Sequence, residues 1–178
     1  DGSVTSGRRS RPERQYPPGF ITTLALSHYG HQLSGILCRR DGIFERYTAN
    51  KDLRNLYPFI YFVAFNALRG TVIYSPFYSV TITVGNIKDW RYDNSGLLTD
   101  VAKNYKILYP RNVLNRGILE LYFMYRQSWR IYDKNDFTRT WSAFKSIFLS
   151  EYVSSIARIL LPVVYMLIWL DIHFLRSK

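Results

Sequence analysis

The chain has 178 residues and a net charge of +11, from 24 Lys+Arg against 13 Asp+Glu. Its single cysteine excludes an internal disulfide framework. A mean hydropathy of −0.15 excludes a multi-span transporter and leaves room for one or two membrane spans. The length suits one ordinary domain plus an anchor. The positive charge calls for an anionic partner, either nucleic acid or an anionic membrane surface. Aromatic residues reach 17%, which suits an interface or membrane protein better than a soluble basic one.

Residues 1–54 read as a basic, partly extended N-terminal region. The run DGSVTSGRRSRPERQYPPGF is rich in Arg and Ser and poor in acid. It resembles the region that follows a removed organellar targeting peptide. Pro17 and Pro18 stop any helix, so Asp1 to Gly19 are expected extended and loosely ordered. Arg8, Arg9, Arg11 and Arg14 are candidate contacts for anionic lipid, RNA or an acidic neighbour, against the plain reading of a solvated tail. His28 and His31 would share a helix face, with Cys38 seven residues on. A zinc site needs four ligands at recognisable spacing, and no second cysteine completes this one, so packing or surface roles are expected instead. The alternating charges from Arg39 to Arg54 mark a connector with a short helix.

Residues 55–110 begin with an apolar helix expected from about Leu53 to Leu68. From Gly70 to Ile87 two readings compete. The stretch reaches the lower length limit for a membrane segment. It also alternates Val80, Ile82 and Val84 with Ser79, Thr81 and Thr83, which is strand periodicity without an evident partner strand. A polar connector follows, with a turn cluster at Asp93 to Gly96 and a short helix towards Ile107 capped by Thr99 or Asp100.

Residues 111–135 carry an amphipathic helix from Asn112 to Tyr132. Leu114, Ile118, Leu121, Tyr122, Tyr125, Trp129 and Tyr132 form its apolar face, and Arg116, Glu120, Gln127 and Arg130 its polar one. Such a helix can lie in a membrane interface or pack on protein. On the first reading Arg116, Arg126 and Arg130 join the candidate contacts to anionic lipid or a partner.

Residues 136–178 read as one long helix ending in a transmembrane span. Phe137, Trp141, Phe144 and Phe148 repeat at helical spacing, and this first part is expected to stand off the membrane. From Tyr152 to Leu175 only Arg158, Asp171 and His173 interrupt an apolar run, long enough for the ~20 residues that a crossing needs. At about 100° per residue, Arg158, Pro162, Tyr165, Trp169 and His173 share one face, and Ile156, Leu160, Val163, Leu167 and Phe174 the opposite one. Polar tips in lipid need partners. Arg158, Tyr165, Trp169, Asp171 and His173 are therefore the candidate helix-packing residues, while snorkelling of Arg158 and Asp171 to opposite interfaces fits the pattern equally. Arg158 and Asp171 lie ~20 Å apart along the axis and cannot pair with each other.

No phosphate-binding loop, dinucleotide fingerprint, metalloprotease motif, C-x-x-C or nucleophile elbow occurs. The expected architecture is mainly α: amphipathic helices with one C-terminal transmembrane helix. A basic N-terminus, aromatic amphipathic helices and one span with Pro162 and ionisable residues together resemble a supernumerary subunit of a mitochondrial inner-membrane complex. Such complexes include those of the respiratory chain and the ATP synthase. The resemblance implies a non-catalytic accessory subunit without cofactor or metal, in contact with neighbouring subunits and with cardiolipin or other anionic lipid. It implies no nucleic-acid partner. A membrane-associated organellar ribosomal or RNA-binding protein and a small membrane assembly factor are the alternatives.

Overall fold

Pro58, Gly70, Asn112, Asp136 and Ser154 punctuate the chain, and a computed structural model, which describes residues 12–31, 35–75 and 94–175, turns each into a helix boundary. The fold is mainly helical, with a small two-stranded ribbon. In it β1 (Arg14–Tyr16) pairs antiparallel with β2 (Val72–Tyr74), Gln15 opposite Ile73. Part of the expected loose arm is thus tied down. The Gly19 amide also donates to the Ala67 carbonyl at 3.0 Å. Strand periodicity from Ser79 to Val84, and the competing membrane reading of that stretch, lie outside the described residues.

The helices follow as α1 (Phe20–Leu26), α2 (Ile43–Ala49), α3 (Pro58–Arg69), α4 (Asn94–Leu108), α5 (Val113–Arg126), α6 (Ser128–Ile131), α7 (Phe137–Leu149) and α8 (Ser155–Leu170). Helix α3 starts five residues later than expected because Pro58 keeps the preceding residue out of the helical region and suits the first helical position itself. Its buried face, Ile60, Tyr61, Ala64, Phe65 and Ala67, meets α1 and the tight turn Ser27–His31. Gly30 makes that approach possible: a Cβ there would sit 2.5 Å from the Ile60 Cα.

One main core joins α3, α4, α5, α7 and α8 through Ile60, Leu98, Tyr105, Leu119, Phe123, Ile147, Leu161 and Ile168. A smaller one holds Ile43, Leu53, Tyr61 and Phe65 beneath α2.

Two expected helices are broken. Helix α5 stops at Arg126, and Gln127 turns the chain before α6. The single long helix over 136–178 is instead α7 and α8, separated at Ser150–Ser154. Asp136 caps α7 through the Arg139 amide at 2.8 Å. Ser154 caps α8 through the Ala157 amide at 3.2 Å. A serine at an N-cap starts a new helix by giving one of its first-turn amides a side-chain acceptor. Phe144 meets Tyr165 edge to face at 5.3 Å, so α7 folds back along α8 rather than continuing it.

Candidate membrane-facing surface and its buried anchor

Helix α8 continues through a wider turn, Asp171–Leu175, and the stretch Ser155–Phe174 is long and apolar enough to cross a membrane. Only 22% of its most apolar window is buried. The buried residues, Ala157, Leu161, Val164 and Ile168, recur at four- and three-residue spacing and form one narrow seam. Ile159, Leu160, Val163, Met166, Leu167 and Leu170 remain uncovered over the rest of the circumference. A soluble core helix would bury such residues. Several large apolar side chains left uncovered on one helix with no charge among them form the kind of contiguous patch that marks an interaction or membrane surface.

The seam lies between the two faces expected from sequence. Arg158 and Tyr165 of the candidate packing stripe bond to backbone carbonyls. The Arg158 Nε donates to the Val153 carbonyl at 3.0 Å, closing the first turn of its own helix. The Tyr165 hydroxyl donates to the Ile131 carbonyl at 3.2 Å. Trp169 and His173 are exposed, and their rings stack on each other at 5.0 Å. His173 Nδ1 bonds the Trp169 carbonyl at 2.9 Å. Asp171 is half-buried at the start of the final turn.

The anchor of α8 is a polar cluster that the sequence pattern placed on the wrong side of α5. Arg116, Glu120 and Gln127, expected to face solvent, are buried, whereas Leu114, Tyr125 and Trp129 are exposed. Arg116 is 8% and Glu120 2% exposed, and their side chains pair at 3.0 Å. Arg116 also donates to the Tyr152 carbonyl at 3.2 Å. Glu120 accepts from the Ser154 amide at 2.9 Å and from the Ser154 hydroxyl. Between these residues, Gly117 brings α5 against α8: a Cβ there would stand 2.9 Å from the Ile156 Cβ. The pair is neutral as a unit and both Glu120 oxygens accept hydrogen bonds, which offsets the cost of burying the charge. Burial pushes the Glu120 carboxyl above its usual range, opposed by the Ser154 hydrogen bonds and by Arg116.

Arg116 is therefore not a surface contact for lipid or a partner, because its guanidinium is enclosed and bonded within the chain. Arg126 is exposed, and Arg130 lies over the exposed Trp129 ring at 4.1 Å. Arg14 is exposed on β1. Arg8, Arg9 and Arg11 lie outside the described residues.

Helix α7 adds an aromatic ladder. Phe137, Trp141, Phe144 and Phe148 stack in succession at 6.5, 5.3 and 5.9 Å, with planes within 10° of parallel. Phe137, Trp141 and Phe148 are exposed, and Lys145 lies over Trp141 at 5.3 Å. The opposite side of the seam carries Thr140, Ala143 and Ile147, which are buried.

His28 is almost fully buried against Tyr122, and neither ring nitrogen has a hydrogen-bond partner among the described residues. Burial lowers its pKa to about 4, assisted by the charges of Arg126 and His31. His31 Nδ1 is turned to the His28 carbonyl, and Cys38 is exposed. Among the described residues no group of three His, Cys, Asp or Glu side chains is placed to hold a metal ion. A shallow cleft lined by Thr99, Ser146, Leu149, Ser150, Glu151 and Tyr152 lies beside the α7–α8 turn. Its carboxylate, Glu151, has no second carboxylate or histidine in the lining to share acid–base work.

No protein-family model, curated protein or solved structure matches this chain.

Proposed function

We propose that the chain is a non-catalytic accessory subunit of a multisubunit complex of the mitochondrial inner membrane, a respiratory-chain complex or the ATP synthase, held to the membrane by α8. The observation that carries the membrane attachment is the division of α8 into a narrow seam locked onto α5 and a broad, charge-free, uncovered apolar surface. A lipid environment satisfies that surface without demanding hydrogen bonds. The accessory role is supported by the nature of the polar clusters. Arg116, Glu120 and Ser154 are bonded to one another and fix a helix rather than face a cleft. The mitochondrial setting rests on make-up, namely the Arg- and Ser-rich first twenty residues and the excess of +11 charges, which suit anionic lipid such as cardiolipin. Exposed Arg14 and Arg126, together with Arg130, are the cations available for such contacts.

The test is native-gel separation of gently solubilised membranes, with mass spectrometry of the band that contains this chain. Co-migration with a respiratory complex or the ATP synthase is the expected result. Migration alone at low mass, or with ribosomal particles, overturns the assignment.

A further inference from the structure

We propose that α8 does not cross the bilayer but lies along one leaflet, with α7 beside it, so that both uncovered apolar faces enter the same lipid surface. This rests on the reading of α8 as the membrane attachment and changes its geometry.

The argument is one of depth. Ser155 to Tyr165 is ten residues, or about 15 Å along a helix axis. That is half the ~30 Å thickness of the hydrocarbon core. With Ser155 at one boundary of a crossing helix, Tyr165 would sit at the bilayer centre. Tyr165 is not surrounded by lipid. Its hydroxyl is bonded to the Ile131 carbonyl, and its ring meets Phe144. A crossing would therefore carry the end of α6 and the middle of α7 to the same depth. Next to Ile131 is Arg130, and next to Phe144 is Lys145. The half-buried, partly exposed Arg130 and exposed Lys145 would enter hydrocarbon with them. Each such cation costs about 2.5–3.5 kcal/mol even on insertion scales that allow snorkelling. Sliding α8 along the membrane normal does not remove the conflict, because the seam extends from Ala157 to Ile168 and is closed by the same domain throughout.

An in-plane helix has no such conflict. The seam faces the domain, while Ile159, Val163, Met166 and Leu170 face acyl chains. The α7 ladder then has a use. Its rings stand on an exposed face of a helix that folds back along α8, and aromatic side chains favour the headgroup boundary. Lys145 over Trp141 and Arg130 over Trp129 place cations beside exposed aromatic rings, where anionic headgroups would meet them. A protein partner is disfavoured by the chemistry of the face. Protein interfaces carry about one hydrogen bond per 100–200 Å². From Ile159 to Leu170 the side chains offer one exposed donor, the Trp169 ring nitrogen.

The test is thiol labelling of the full chain in sealed vesicles of phosphatidylcholine with cardiolipin. The exposed Cys38 is replaced (Cys38→Ser), and thiols are placed before and after the helix in the sequence (Glu151→Cys and Lys178→Cys). Labelling with a membrane-impermeant maleimide is read by mass spectrometry on intact chains. A crossing helix, in either orientation, gives chains with one label. An in-plane helix gives chains with two labels or none, and that is the expected result. One label overturns the in-plane geometry and leaves the membrane attachment standing. Failure to float with vesicles overturns both. Exposed Lys106, which lies over the Tyr152 ring at 5.4 Å and so at the same end of α8, gives the same readout as Lys106→Cys in place of Glu151→Cys should the first variant not fold.

Discussion

Glu120 on α5 accepts both the amide and the hydroxyl of Ser154, and the same hydroxyl oxygen receives the Ala157 amide, so a single buried carboxylate sets where α8 begins. Arg116 closes the arrangement by bridging Glu120 and the Tyr152 carbonyl. The outer surface of α8 is presented to its surroundings only because this inner end is fixed.

Replacing Glu120 with Ala should leave Arg116 as a buried unpaired charge and strip the Ser154 amide of its acceptor. A loss of about 3–5 kcal/mol is expected in denaturant unfolding of the solubilised protein. The double variant Arg116→Met with Glu120→Leu should lose far less, because no orphaned charge remains. Equal losses from the single and double variants would show that the ion pair is not what limits stability here.

Gly117→Ala separates packing from helix propensity. In an exposed helix the change would gain about 1 kcal/mol. Here the new Cβ stands 2.9 Å from Ile156, so overpacking of about 1–3 kcal/mol should outweigh the gain. A lower melting temperature for Gly117→Ala, part-recovered by Ile156→Ala, is the expected pattern. A higher one would mean that α5 and α8 do not approach this closely.

Val163→Glu tests the outer surface without touching the seam. Val163 is uncovered, so unfolding stability should change by no more than about 0.5 kcal/mol. Flotation with vesicles should fall about tenfold or more, from the cost of putting a carboxylate against acyl chains. Unchanged flotation would remove α8 from the membrane contact.

His28 gives a pH signature. Its pKa is lowered from 6.5 to about 4, so the folded state binds the proton less readily than the unfolded chain does. The stabilisation is fully present above the unfolded value and is lost as pH falls from about 6.5 through 4, by about 2 kcal/mol after allowance for solvent screening. Melting temperatures measured across that window should fall more steeply for the native chain than for His28→Phe, which cannot take up the proton. Parallel curves would place His28 in a better-solvated position than its burial implies.

Much of the helical layout follows from local chemistry. Pro58, Asn112 and Asp136 mark helix starts, and the apolar runs after them have the right period. The break at Ser150–Ser154 was masked by its own sequence, because Tyr152 and Val153 continue the apolar run across a serine cap. The face of α5 was misread for a related reason. Arg116 and Glu120 look like surface residues until each is seen to be the other's partner, with Ser154 brought to them from thirty-four residues on. Of the candidate stripe, Tyr165 found a backbone partner in Ile131, and the Trp169 and His173 rings stack on each other.

The uninterrupted apolar run from Ile159 to Leu170 already dictated a helix that water cannot cover well, because every side chain in it prefers a nonaqueous surrounding on any face. Which strip of that helix belongs to the protein, and therefore which remains for the membrane, was decided in three dimensions. The reason is that periodicity ranks the faces of a helix by polarity, whereas burial goes to the face that a glycine, a matched ion pair and a serine cap allow a distant helix to reach.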